Sequence, residues 1–378
     1  MKFRPIFISL LLAILAANAF AGAGGARASR KDDVDEQKVE RSIAVDPAVA
    51  ISLCVASGNI TIHGWDRNEV RARSADAVKI ELAHAPQNPP GASITKLEVA
   101  VFNNDEVEKP AGKCQAFSDI ELNVPRGASV LVQTRDGDIS IADVAAAYAG
   151  TQNGDIAVQK ITRSIEIGSL AGNICVKDSS GRVNVSSAGG SVEAANLQPM
   201  QADDEFEVIT TSGDIILSHV THKQINTKTV SGNLTMTGPL ARAGRYGFNS
   251  FSGDVTLAMP ANSSFKLVAK VSQDGEIITD FPLTLTQNSA SSSAEASAVA
   301  TAEAPADPAA PVAKSGPVSP VTKVAPVVTV DVKPKIHVKV KPEVKVAFSM
   351  RRVNGIHGTG DAMISVSSFL GTLRLEQN

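Results

Sequence analysis

The sequence predicts an all-β fold, a β-solenoid of short strands with coils of about 18–22 residues. Three observations lead there. A glycine followed by Asp, Asn or Ser, and then by alternating apolar residues, recurs as DGDISI (136–141), NGDIAV (153–158), AGNICV (171–176), GGSVEA (189–194), SGDIIL (212–217), SGNLTM (231–236) and SGDVTL (252–257). The glycines Gly137, Gly154, Gly172, Gly190, Gly213, Gly232 and Gly253 are separated by 17, 18, 18, 23, 19 and 21 residues, and a period near 20 is the mark of a repeat array. A second apolar alternation falls midway between them, as at 165–167 and 183–185, while no helical periodicity runs through 42–287.

Each unit follows from backbone chemistry. Glycine permits the positive φ of a sharp corner. The Asp or Asn after it is expected to close an Asx-turn onto its own backbone. The following x-Ile-x-Val alternation turns two apolar side chains inward and leaves one polar side chain outward. One such coil cannot bury its apolar face alone, so coils stack at about 4.8 Å and share a core. Upstream, Ile51, Leu53 and Val55 and then SGNITIHGWD (57–66), with its corner at Gly58, have the same grammar, as does IELNVP at 120–125. Val144–Ala149 is Ala-rich but falls on the same grid and is read as a strand.

The ends differ in composition. Lys2 and Arg4, the apolar stretch Ile6–Ala17 and Ala19-Phe20-Ala21 form a Sec signal peptide over 1–21, too short for a confident membrane span. Residues 22–41 are a charged linker and 42–287 the solenoid body. Residues 288–329, rich in Ala, Ser and Pro, are a disordered tether, and 330–378 supply closing β segments that cap the solenoid. After signal cleavage no segment reaches the length of a transmembrane span. Export places the chain in the periplasm, at the cell surface or outside the cell. Such compartments are oxidising, so Cys54 and Cys114 are expected to pair, with Cys175 outward and free between Ile174 and Val176.

The runs SGNITIHGWD, LNVPRGASVLVQTRDGDISI, TTSGDIIL, TVSGNLTM, SFSGDVTLAMP and the closing GTGDAMISV and LGTLRL resemble the bacterial putative-adhesin family of β-strand repeats, a catalogued domain of unknown function. The resemblance covers roughly 42–287 and 346–378. It implies a right-handed β-helix in an exported or membrane-tethered protein, and it brings no catalytic residues.

Composition narrows the function classes. A net charge of −3 gives no global field for nucleic acid or an anionic membrane, and 4% aromatic residues are poor material for base stacking. Asp138, Asp155, Asp214 and Asp254 share one column with Asn59, Asn173, Ser191 and Asn233; turn formation accounts for them better than Ca²⁺ binding, because neutral residues interrupt the column. His219 and His222 have i, i+3 spacing but follow a strand and lack a third ligand nearby. GIHGTGD (355–361) is read as a hairpin loop, since it lacks the Lys of a phosphate loop. No catalytic residue, cofactor site or metal site is assigned.

The Lys-rich stretch 333–345 offers Lys335, Lys339 and Lys341 on one strand face as a candidate anion-binding surface; the competing account is that edge lysines block strand-to-strand aggregation. The sequence therefore points to a non-enzymatic envelope protein, a structural or binding module with an adhesive character. Its partner is an envelope or extracellular polymer or protein, or a second copy, and not nucleic acid. The alternatives are a self-assembling scaffold of bactofilin type and a β-helix enzyme acting on polysaccharide. Deleting 290–328 should leave the thermal midpoint nearly unchanged if that stretch is only a tether; a large drop in a melting curve would show that it packs on the body.

Overall fold

The alternating apolar positions form strands throughout, and among the described residues there are 27 strands and no helix. The computed structural model describes residues 39–86, 91–103, 114, 116–272, 275–286 and 350–378. The signal peptide, the linker up to residue 38, the tether and the lysines Lys335, Lys339 and Lys341 lie outside them.

The first strands are β1 (Val39–Ala44), β2 (Ala50–Cys54), β3 (Ile60–Trp65), β4 (Glu69–Ser74), β5 (Lys79–Ala83), β6 (Lys96–Phe102) and β7 (Ile120–Pro125). Strand β1 begins inside the charged stretch that composition assigns to a linker. The regular array holds β8 (Ser129–Gln133), β9 (Ile139–Ala142), β10 (Ala146–Asn153), β11 (Ile156–Gln159), β12 (Ser164–Ala171), β13 (Ile174–Ser180), β14 (Arg182–Gly189) and β15 (Val192–Gln198). It continues through β16 (Glu205–Ser212), β17 (Ile215–Val220), β18 (Gln224–Ser231), β19 (Leu234–Thr237), β20 (Arg245–Ser252) and β21 (Val255–Met259). The last are β22 (Phe265–Ser272), β23 (Ile277–Thr279), β24 (Thr284–Leu285), β25 (Met350–His357), β26 (Ala362–Leu370) and β27 (Leu373–Gln377).

Successive strands of the array alternate between two sheets, so one coil is one strand from each. Sheet A has the order β1-β4-β7-β3-β9-β11-β13-β15-β17-β19-β21-β27-β23. Sheet B runs β24-β25-β22-β26-β20-β18-β16-β14-β12-β10-β8-β2-β6-β5. Pairing within the array is parallel and in register: Ile156 lies opposite Ile174, and Ile165 opposite Val183. This is a β-solenoid with two flattened faces. Its core is columns of like side chains, such as Ile139, Ile156, Ile174, Val192, Ile215, Leu234 and Val255 in sheet A, all fully buried.

The corner glycines stack on one another. Gly213 and Gly232 have φ of 136° and 144°, a region that L side chains rarely adopt. A Cβ on Gly232 would also run into the carbonyl oxygen of Gly213, and one on Gly213 into that of Gly190. The same stacking runs through Gly58, Gly137, Gly154, Gly172 and Gly253 to Gly371. Three residues before each corner from Gly137 onward lies a buried hydroxyl: Thr134, Thr151, Ser169, Ser187, Thr210, Thr229, Ser250 and Ser368 form one inward column of sheet B.

The polar residue after each glycine does not close an Asx-turn on its own backbone. Its side chain accepts the N–H of the equivalent residue in the next coil. Asp155 N–H donates to Asp138 at 2.8 Å, Asn173 to Asp155 at 2.7 Å, and Ser191 to Asn173 at 3.0 Å. Asn233 donates to Asp214 at 2.7 Å, Asp254 to Asn233 at 3.0 Å, and Thr372 to Asp254 at 2.7 Å. Stacking brings that neighbouring N–H closer than any local donor, which explains why Asp, Asn and Ser alternate freely: each supplies an acceptor oxygen.

Neither end follows chain order. The β2/β3 coil lies between the later coils β6/β7 and β8/β9. At the other end β26 and β27 do not cap the solenoid: β26 is wedged between β20 and β22, and β27 between β21 and β23. The cause is LGTLRL, which carries a full corner, so Gly371 stacks on Gly253 and continues the glycine column. GIHGTGD is correspondingly not a hairpin loop. Its strands β25 and β26 flank β22 on opposite sides, and the loop passes over the start of β22, where Asp361 N–H donates to Ser264 Oγ at 3.2 Å.

One corner departs from the repeat. Before β16 the chain swings out over 199–204, and there His222 fills the interior, fully buried against Phe206, with Nε2–H donating to Gly181 O at 2.7 Å across an intervening coil. Burial holds this imidazole below its ordinary value, against the opposing pull of the Gly181 carbonyl and Asp204. The unfolded chain then binds the proton more readily than the folded one below about pH 6.5. Stability is therefore complete above that pH and declines on acidification. Melting curves between pH 7 and 5 should fall more steeply for the native protein than for His222→Gln. A second outcome concerns the core: Ile215→Ala should cost about 2–5 kcal/mol in chemical denaturation. The neighbouring Ile216, 42% exposed, should tolerate Thr with little loss. Gly232→Val should be at least as damaging as Ile215→Ala, since it meets both strain and a backbone clash.

Candidate functional site: an outward groove on sheet B

The same alternation that fills the core sets up an outward column on sheet B, running Glu98, Ser52, Leu131, Tyr148, Glu166, Asn184. It forms the floor of a cleft of about 1130 Å³. Six adjacent strands span about 24 Å at the usual strand spacing. One wall is His84 and Ala85, just after β5; the other is Met200, Gln201 and Asp204 in the swung-out corner. That corner is fixed by Asp204, whose Oδ2 accepts the N–H groups of Met200 at 2.8 Å and Gln201 at 2.7 Å.

The rim and floor hold polar groups with spare capacity. Arg163 donates to Ser129 Oγ at 2.6 Å and Tyr148 Oη lies 3.3 Å from Ser164 Oγ. Among the described residues no ion pair engages Glu98, Glu166, Arg163, Arg182 or Lys96. Glu98 and Glu166 sit four strands apart, about 19 Å at strand spacing, whereas paired-carboxylate glycoside hydrolysis needs roughly 5–10 Å. The next carboxylate along the column, Glu207, lies outside the cleft lining and is held by Asn226 at 3.0 Å and Lys228 at 3.8 Å.

The residues singled out from sequence are placed as follows. Gly58, Gly137, Gly154, Gly172, Gly190, Gly213, Gly232 and Gly253 occupy one corner, all at positive φ. Cys54 and Cys114 are joined as a disulfide with Cα atoms 5.0 Å apart, tying the end of β2 to the segment that enters β7; Cys175 is free and half-buried. Closing that 60-residue separation restricts the unfolded chain by about 4 kcal/mol in the chain-entropy account. His219 adopts φ of 55° at the end of sheet A and is exposed, while His222 is fully buried, so the two rings are not brought together. Among the described residues no three of His, Cys, Asp and Glu gather to hold a metal ion.

Sequence reasoning missed the groove. Its components are a column, and their spacing (Glu98, Ser52, Leu131, Tyr148, Glu166) is irregular because the first coils stack out of order. Only Tyr148, Glu166 and Asn184, 18 residues apart, were visible as a repeat-spaced set.

The array is thus a parallel solenoid with an open, polar groove on one face. The chain belongs to the Toastrack DUF4097 family, whose model matches residues 50–305. No curated protein matches it. Among solved structures it is similar to a putative cell adhesion protein from Clostridium sporogenes ATCC 15579, at 10% identity and TM-score 0.20, over 90% of this chain and 100% of that one. It is also similar to putative adhesins from Parabacteroides distasonis ATCC 8503 (13% identity, TM-score 0.37, 60% of this chain and 91% of that one) and Parabacteroides merdae ATCC 43184 (11%, 0.28, 60% and 90%).

Proposed function

We propose that this protein is an exported, non-enzymatic module of the cell envelope that holds an extended polymer, a polysaccharide in the first instance, in the groove of sheet B. One observation carries the reading: a floor of six strands presents Tyr148 among Glu98, Glu166, Arg163 and Arg182, none of them in an ion pair among the described residues, in an open channel. A half-buried aromatic offers a sugar its apolar face, and flanking carboxylate, amide and guanidinium groups hydrogen-bond hydroxyls. The wide separation of Glu98 from Glu166 favours holding over cleaving. The signal-like N-terminus and the Cys54–Cys114 disulfide support an oxidising compartment, periplasmic or extracellular.

A glycan array followed by calorimetry tests this. Binding should weaken about tenfold for Tyr148→Ala, and similarly for Arg182→Ala, with unchanged thermal midpoints. Binding that survives both substitutions removes the groove from the proposal, and release of new reducing ends during incubation would turn it into an enzyme.

A further inference from the structure

Beyond β16 and β18 in sheet B, the outward positions have a different chemistry. Strand β20 presents Arg245, Gly247, Asn249 and Phe251, and β26 presents Met363, Ser365, Ser367 and Phe369. Beyond them β22 presents Lys266, Val268, Lys270 and Ser272, and β25 Met350, Arg352, Asn354 and Ile356. Register places Arg245, Met363 and Lys266 in one row and Lys270 beside Arg352. No Asp or Glu occupies an outward position of these four strands, and among the described residues no ion pair engages Arg245, Lys266, Lys270 or Arg352. Asp361, in the loop before β26, accepts from Thr359 at 2.9 Å, and at the margin of the face Asp203 and Asp204 share a small pocket with Arg245.

Large apolar side chains stand among these cations. Phe251 is 47% exposed and stacks on Phe369 with centroids 5.0 Å apart; Met363 and Met350 are 49% and 40% exposed. Cations alone would fit any polyanion. Exposed Phe and Met on the same flat face add a preference for an interface with an apolar side, because a hydrated soluble polymer leaves them in water.

We propose that the outer face of β20, β26, β22 and β25 docks on a bilayer surface that displays anionic phospholipid headgroups. Lys266, Lys270 and Arg352 meet phosphates, with Arg245 at the margin, and Phe251, Met363 and Met350 enter the headgroup region. The net charge of −3 conceals this face, since the carboxylates of sheet B stand on other strands: Glu81, Glu98 and Glu166 toward its other end, Glu205 and Glu207 midway along it on β16. The inference stands apart from the groove reading: either can fail without the other.

Co-sedimentation of the purified protein with vesicles tests it, using phosphatidylcholine alone and an equal mixture with phosphatidylglycerol. The expected result is partition onto the mixed vesicles only, weakened by high salt. Lys270→Glu with Arg352→Glu should lower partition at least tenfold, at about fivefold per cation removed, and Phe251→Ser with Met363→Ser should lower it again. These positions are outward, and an unchanged melting curve establishes that the variants fold. Equal binding to both vesicle types, or partition untouched by the charge reversal, overturns the proposal. So does soluble polyphosphate binding the native protein and the Phe251→Ser, Met363→Ser variant as tightly as vesicles do, which would make the face a polyanion site.

Discussion

The structure depends on one contact repeated along its length: the backbone of each corner glycine lies directly against the carbonyl of the corner glycine in the adjacent coil. Gly137 rests on Gly58, Gly154 on Gly137, and so to Gly371 on Gly253. There is no room for a Cβ between them, and from Gly58 to Gly253 φ is positive. Coils can approach to sheet spacing at the corner only if every one turns in the same way. That requirement sets identical cross-sections, and identical cross-sections bring Ile over Ile and hydroxyl over hydroxyl inside.

The polar ladder is a consequence of that approach. Once two corners are stacked, the N–H after each glycine points at the side chain of the coil before it, and an Asp, Asn or Ser there satisfies a donor that would otherwise depend on water. A backbone group at an exposed corner is thereby paired along the whole array, from Asp119, which accepts from Asn59 N–H at 2.7 Å, to Thr372. The ladder tolerates sequence drift in a way the glycine column does not, because any short acceptor will serve while only one residue lacks a Cβ.

Much of the fold was legible in the sequence, and for a physical reason. Corner glycine and period-two alternation are local properties, so DGDISI and SGDVTL declare a strand and its inward face without reference to anything distant. Stacking order is not local. Nothing in SGNITIHGWD states that its coil will sit between 120–125 and 139–142, and nothing in LGTLRL states that it will enter between β21 and β23. The hydroxyl column is equally local: from Gly137 onward a Ser or Thr stands three residues before every corner glycine. The groove was illegible for the same reason as the order, since Glu98 reaches Tyr148 only through Ser52 and Leu131, across the out-of-order coils.

Because the inward columns are committed to stacking, variation is free only outward, and there the chain sorts its chemistry by position along the stack. Toward the first coils sheet B bears acids, amides, a tyrosine and arginines around a cleft walled by the one swung-out corner, at 199–204. Toward the last coils it bears four cations, stacked phenylalanines and methionines. The swung-out corner shows how such differences arise at little cost to the body. Lengthening one coil to 23 residues removes a corner from the stack, His222 fills the interior beneath it, and the flanking strands β14 and β16 keep their pairing, Val183 opposite Phe206. An array of this kind acquires a new surface by altering one connection, while the register that holds it together passes undisturbed from coil to coil.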